Sequence, residues 1–234
     1  MKINIELDST SNIAVVSRNV NGIKVEFEAN VEDLFSSIMA SKVNEESEYK
    51  AVFSPLREVK AGFELIQTIQ IGRNVTWHMV KVSKRDVPFY IYQNFFGMCG
   101  MPELLFGIKS VNGFYSSMSV SALKESNTPV TRETEIFTYP FSNTSGGTGR
   151  VCTGANIINK KIDSLDDLER IIHYFFEMPN TAEMFRKTNN SLGFEFRELA
   201  TLLEGTIFDD ELLVRNTTCP NYNKLVDNIA KQRY

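Results

Sequence analysis

The sequence has little of the chemistry that metal sites and disulfide frameworks need. Its 234 residues include three cysteines and two histidines. Cys99, Cys152 and Cys219 are odd in number and widely spaced, and neither His78 nor His173 stands at metal-ligand spacing from a cysteine. We therefore expect reduced thiols and no bound metal.

Long apolar runs and blocks of basic residues are also missing. No apolar run approaches the roughly 20 residues that cross a bilayer, and the first residues alternate apolar and polar instead of forming an apolar signal region. The net charge is −4, with lysines and arginines scattered among acids. Because a nucleic-acid surface needs clustered cations, we expect no binding to nucleic acid. Because a signal region and an apolar span are missing, the sequence predicts a cytoplasmic protein that does not bind a membrane.

Alternating apolar and polar residues predict antiparallel strands up to about residue 140. The clearest hairpin joins residues 104–111 to 114–123 through Asn112-Gly113, which favours a type I′ turn. Residues 1–29 predict two or three more short strands, with a hairpin turn at Asn21-Gly22. A helix is predicted from Asn30 to about Ser41, and the acidic stretch 44–48 predicts a linker.

Apolar spacing changes to a helical period after residue 160. Ser164 and Asp167 predict a capping box at the start of a helix that Pro179 ends. A second helix is predicted over residues 194–204, and residues 223–232 predict a final short, exposed helix. Strands followed by helices predict an α+β fold.

The segment from Pro140 to Gly154 is the most informative part of the chain. Cys152 follows a glycine-rich turn at 145–149. A thiol that receives an acyl group needs access, donors for the oxyanion and a group that favours the thiolate. Asn143 offers an amide donor, and Arg150 projects beside Cys152 if the backbone between them is extended. The alternatives are an inert cysteine, an ordinary turn asparagine and a solvated arginine.

This segment resembles the active-site signature of the ubiquitin-conjugating superfamily, which is His-Pro-Asn, a short loop and Gly-x-Ile/Val-Cys. Here Phe141-Ser142-Asn143 stands in place of His-Pro-Asn, and Gly149-Arg150-Val151-Cys152 stands in place of the cysteine tetrapeptide. Together with Leu104-Leu105-Phe106-Gly107-Ile108 and Ala122-Leu123-Lys124, it makes the chain similar to prokaryotic family D of ubiquitin-conjugating-like proteins, also called PRTRC system protein B. The resemblance covers about residues 60–215 and is strongest over 102–156.

The resemblance implies both an architecture and a function. It implies a ubiquitin-conjugating-like antiparallel β-meander with flanking helices at 60–215. The residues outside this range are then a β-rich extension with a hairpin and a helix at 1–59, and a tail with a short helix at 216–234. It implies a bacterial transferase, encoded on mobile elements, that accepts a ubiquitin-like protein on Cys152 as a thioester and passes it to an amine. A ThiF-type activating enzyme is the implied donor, and a JAB-type peptidase is a further implied partner. Asn143 and Arg150 would assist Cys152, and this chemistry would need no metal or organic cofactor on the chain.

Two other functions stay open at this point. Because Phe141 replaces the signature histidine, the chain could be a catalytically silent adaptor that keeps the fold and binds the partner proteins of its gene cassette. A thiol hydrolase would instead require His173 within hydrogen-bond reach of Cys152. Of the remaining thiols, Cys99 is predicted to be buried and Cys219 to be exposed.

Overall fold

A computed structural model describes residues 3–7, 12–20, 23–34, 49–52, 58–60, 62–126, 128–145, 147–154 and 160–231. In chain order these residues form the strands β1 (Ile3–Leu7), β2 (Ile13–Val20), β3 (Ile23–Asn30), β4 (Tyr49–Val52), β5 (Glu58–Lys60), β6 (Phe63–Ile71), β7 (Val75–Val82), β8 (Arg85–Ile91), β9 (Asn94–Met101), β10 (Glu103–Val111), β11 (Phe114–Leu123), β12 (Thr144–Ser145) and β13 (Arg150–Val151). Apart from the helical residues 31–34, the helices are α1 (Leu165–Glu177), α2 (Phe196–Leu203) and α3 (Tyr222–Lys231), with 3-10 turns at Ala182–Met184, Lys187–Asn189 and Asp210–Leu212. The fold is α+β, as predicted.

Three antiparallel sheets organise these strands. The largest has the order β12-β13-β11-β10-β7-β6-β4, with β5 also pairing with β6. β1, β2 and β3 form a second sheet, and β8 and β9 form a third. Since β4 and β5 pair with β6, the largest sheet includes residues on both sides of position 60.

The predicted N-terminal elements are described in part. Residues 31–34 are helical, as the predicted start at Asn30 requires. The rest of that predicted helix, the linker at 44–48 and the turn at Asn21-Gly22 lie outside the described residues. β2 and β3, which flank that turn, pair antiparallel from Val20 opposite Ile23.

The β10–β11 hairpin forms where the sequence predicts it. Asn112 and Gly113 have φ angles of 54° and 81°, the two positive values that a type I′ turn requires. Beyond the turn, β10 pairs with β11 on one side and with β7 on the other. It is therefore an inner strand of the largest sheet.

Helices cover both faces of β10. Phe106 and Ile108 belong to the core cluster that contains the buried residues of α1 and α2. Leu105, on the opposite face, belongs to a second cluster with Leu225 and Ile229 of α3. One side of α3 is thus packed against the sheet. The prediction of an exposed final helix is wrong for this side.

α1 begins and ends where its sequence signals indicate. Ser164 accepts from the Asp167 N–H and the Asp167 side chain accepts from the Ser164 N–H, which forms the predicted capping box. The helix ends at Glu177, and Pro179 cannot continue it because its ring removes the N–H donor. Residues 179–181 then form hydrogen bonds with Ser142 and Asn143, which immediately precede β12.

Candidate functional site

Cys152 lies at the end of the hairpin formed by β12 and β13. Thr144 pairs with Val151, and one residue further the Cys152 N–H donates to the carbonyl oxygen of Asn143 at 2.8 Å. This bond continues the ladder, so Asn143 stands opposite Cys152. The Cys152 residue is exposed, whereas Val151 is buried. The prediction of an accessible thiol in an irregular segment after antiparallel strands is confirmed.

The glycine-rich loop of this hairpin is held on two sides. Gly149 has a φ angle of 65°, and its carbonyl oxygen accepts from the Val120 N–H at 2.9 Å. A Cβ at Gly149 would overlap the Val120 carbonyl oxygen, so glycine is required for this approach to β11. On the other side, Asn216 Nδ2 donates to the Gly147 carbonyl oxygen at 2.6 Å. The loop therefore fixes Cys152 relative to the sheet.

Asn143 is nearly buried and held by a distant segment. Its φ angle of 66° lies in the left-handed region, which asparagine tolerates better than most residues. Its Nδ2 donates to the Pro179 carbonyl oxygen at 2.9 Å, a bond between residues 36 positions apart. The amide therefore bonds across the fold and not within its own turn. The side-chain amide of asparagine has two N–H hydrogens, and this bond uses one of them.

Arg150 lies on the solvent side of the hairpin, paired with Ser145 of β12 and Ser119 of β11. Arg150 and Cys152 are exposed and Val151 between them is buried. Since side chains two residues apart in an extended chain point to the same side, the guanidinium and the thiol share one side of the hairpin. Within the described part of the chain, Arg150 forms no ion pair.

Phe141, two residues before Asn143, is a core residue. It is fully buried, and its ring centroid lies 5.0 Å from that of Phe89 and 5.8 Å from that of Tyr139. These contacts attach the segment before Asn143 to β8 and to the main core. A phenyl ring suits this dry environment better than an imidazole, which carries polar nitrogens that need partners.

Replacing Phe141 by histidine should therefore destabilise the protein. We expect the free energy of unfolding in urea to fall by about 2–3 kcal/mol, because aromatic contacts are lost and an imidazole is buried. Phe95→His is the matched control, since Phe95 is 59% exposed and its change should stay within about 0.5 kcal/mol. Equal stability of the Phe141→His variant and the original protein would contradict the core role of Phe141.

His173 is held away from Cys152. Its ring centroid lies 5.4 Å from that of Phe63 in β6, and its Nε2 lies 3.5 Å from Glu169 Oε1. Four strand-to-strand steps separate β6 from β13, which is about 19 Å at the usual strand spacing. The structure does not bring His173 and Cys152 together, and the thiol hydrolase is not supported.

The other two thiols are buried. Cys99 Sγ donates to the Ala200 carbonyl oxygen at 3.7 Å, and burial raises its pKa to about 12. Cys219 is fully buried, so its predicted exposure is wrong. Its sulfur accepts from Asn228 Nδ2 of α3 at 3.2 Å, and burial raises its pKa. All three cysteines are free, and Cys152 is the exposed one.

Two asparagines that support this hairpin could not be predicted from the sequence. Asn216 bonds the Gly147 carbonyl, and Asn180 bonds Ser142, which precedes Asn143. Each is a single polar residue in a loop that is distant in sequence, so no local pattern marks it. Only the folded chain brings these residues to the hairpin.

Comparisons with known proteins add no family to this geometry. No family model matches the chain, and neither a curated protein nor a solved structure matches it. In the described ranges, no group of three or more histidine, cysteine, aspartate or glutamate side chains is arranged to hold a metal ion. Among the same residues, no helix has the length and apolar character needed to span a bilayer. The site is therefore interpreted from its own residues.

Proposed function

We propose that this chain is a ubiquitin-conjugating-like protein of prokaryotic family D, with a ubiquitin-conjugating-like domain over residues 60–215. In the cytoplasm, it would accept a ubiquitin-like protein on Cys152 as a thioester from a ThiF-type activating enzyme and transfer it to an amine. A JAB-type peptidase of the same gene cassette is a further proposed partner. The observation that carries the proposal is the exposed Cys152 thiol, which lies opposite Asn143 at the end of the β12–β13 hairpin.

The order of elements around the thiol supports this proposal. The antiparallel strands β6, β7, β10 and β11 precede the hairpin, and α1 and α2 follow it. Phe141, Asn143 and Cys152 occupy the three signature positions in one connected segment, with Phe141 in the core and Cys152 at the surface. A nucleophile on such a supported segment can meet a large protein substrate without movement of the core.

The proposed reaction has two acyl-transfer steps. The Cys152 thiolate attacks the carbonyl carbon of the modifier's thioester on the activating enzyme. A new C–S bond forms, the old C–S bond breaks, and the activating enzyme's thiolate leaves. An amine then attacks the same carbon, a C–N bond replaces the bond to Cys152, and the amine loses a proton to solvent. Asn143 stabilises the oxyanion in both steps, and the exposed Arg150 lies on the same side of the hairpin as the thiol.

A catalytically silent adaptor is the second candidate. The observation that favours it is Phe141, since this position carries a core phenyl ring where the signature has histidine. An adaptor would use the same surface to bind the ubiquitin-like protein without a covalent bond. Adduct formation on Cys152 therefore separates the two functions.

The test combines the purified chain with its cassette's activating enzyme, ATP and ubiquitin-like protein. We expect an adduct on a non-reducing gel that disappears on addition of a thiol reductant. Cys152→Ala should abolish it, and Cys152→Ser should convert it to a reductant-resistant ester. Cys99→Ala is the control, because this buried thiol lies in a different element. Binding of the ubiquitin-like protein without any adduct would favour the adaptor and contradict transfer.

Removing the Asn143 amide should slow transfer far more than it slows alkylation. Asn143→Gly is the suitable variant, because glycine accepts the φ angle of 66° without strain. We expect thioester formation to slow by about a hundredfold, the typical effect of one lost oxyanion donor. Iodoacetamide labelling of Cys152 should change by less than about threefold, because alkylation forms no tetrahedral oxyanion. Equal losses in the two assays would assign Asn143 a purely structural role.

A further inference from the structure

A buried polar cluster behind the Cys152 hairpin joins residues 142–143 to residues 179–181. Ser142 Oγ donates to Asn180 Oδ1 at 2.9 Å and accepts from the Thr181 N–H at 3.2 Å. Asn143 Nδ2 donates to the Pro179 carbonyl oxygen at 2.9 Å. Residues 179–181 thus hold residues 142–143, and Asn143 stands opposite Cys152.

Asn180 is itself fixed to β8. Its N–H donates to the Tyr90 carbonyl oxygen at 2.8 Å, and its carbonyl oxygen accepts from the Tyr92 N–H at 2.9 Å. Its Nδ2 also approaches the Tyr90 carbonyl oxygen, at 3.4 Å. Asn180 is 6% exposed and Ser142 is fully buried. Bonds in such a dry environment are strong, and an unpaired group there is costly.

These contacts determine the position of the Asn143 amide before any substrate binds. The side chain of Asn143 is held through Pro179, and its carbonyl oxygen is held by the Cys152 N–H at 2.8 Å. A donor that is already oriented requires no reorganisation when negative charge develops on the substrate. Asn180 follows Pro179, which holds the Asn143 side chain, and bonds Ser142, which precedes Asn143.

We propose that Asn180 is a positioning residue for acyl transfer: by holding Ser142, it sets the place of the Asn143 amide relative to the Cys152 sulfur. Its role in a reaction rests on the proposed function. Its role in holding the hairpin does not, and the two can be measured separately.

The experiment compares Asn180→Ala with Asn190→Ala. Asn190 is 2% exposed and also bonds through its side chain, with Nδ2 donating to the carbonyl oxygens of Lys187 and Phe194 and Oδ1 accepting from the Phe194 N–H. It therefore controls for the general cost of losing a buried asparagine. Two quantities are measured in the full chain: hydrogen exchange of the Cys152 amide by NMR, and single-turnover thioester formation.

We expect Asn180→Ala to speed exchange of the Cys152 amide and to slow thioester formation, each by about tenfold, the value of one buried hydrogen bond. Asn190→Ala should change neither the exchange rate nor the rate of thioester formation by more than about twofold, even if it lowers global stability as much as Asn180→Ala does. In an Asn143→Gly background, Asn180→Ala should slow transfer no further, because Asn180 acts through the Asn143 amide. If Asn180 had only a structural role, Asn180→Ala would slow transfer by the same factor in the original protein and in the Asn143→Gly variant.

Ser142→Ala provides a second variant that breaks the same contact from the other side, and it decides the matter if Asn180→Ala does not fold. Unchanged exchange of the Cys152 amide in the folded variant would overturn the inference, and so would equal effects from Asn180→Ala and Asn190→Ala. If the unsubstituted protein forms no thioester, the proposed function fails. The amide exchange then still decides whether Asn180 positions the hairpin.

Discussion

We expect iodoacetamide to alkylate Cys152 at least about a hundredfold faster than Cys99 or Cys219 in the native protein. Both slow thiols have 0% exposure, so reagent reaches them only when the structure opens. An opening free energy of about 3 kcal/mol already slows labelling by about a hundredfold. Raised pKa values lower the reactive thiolate fraction further, and for Cys99, with a pKa of about 12, mildly alkaline buffer does not remove this protection.

Mass spectrometry after limited labelling reads this difference at each cysteine. The Cys152→Ser variant should retain no fast site, and all three thiols of the unsubstituted protein should react in denaturant. The measurement needs no partner protein, so it tests the exposed-thiol geometry independently of the transferred modifier. Dominant labelling of Cys219 in the native state would contradict the structure and remove the main physical support for catalysis.

Elements with local signals were predictable from the sequence. The Asn112-Gly113 turn and the Ser164–Asp167 capping box each depend on residues within one turn of chain, and both occur as predicted. The solvent exposure of Cys152 also followed from its position after a glycine-rich turn. Local chemistry sets these features, so neighbouring residues suffice to predict them.

Features that depend on tertiary contacts were not predictable in the same way. Cys219 is buried because α3 packs on the sheet through Leu225 and Ile229. The spacing of these residues in the sequence predicts a helix but does not show which surface the helix packs against. Asn180 contacts Ser142 across 38 positions, and no periodicity reports such a bond. The exposure of Cys152 could thus be predicted, whereas the contacts that hold its hairpin could not.

Replacing Gly149 should disrupt the hairpin that carries Cys152. A Cβ at this position would overlap the carbonyl oxygen of Val120, and the φ angle of 65° disfavours any L side chain. Backbone atoms of β11 cannot move aside without breaking the sheet. We expect Gly149→Ala to lower the free energy of unfolding in urea by about 3 kcal/mol or more, the sum of conformational strain and overlap.

Gly154→Ala separates these two causes. Gly154 has a φ angle of 60°, close to that of Gly149, but a Cβ there would meet nothing within 4 Å. It should therefore show the conformational cost alone, about 1–2 kcal/mol. In folded Gly149→Ala protein, loss of the bond from the Val120 N–H should also release the loop, so exchange of the Cys152 amide should accelerate more than in Gly154→Ala. Equal destabilisation by the two substitutions would mean that close packing of Gly149 against Val120 does not hold the hairpin in place.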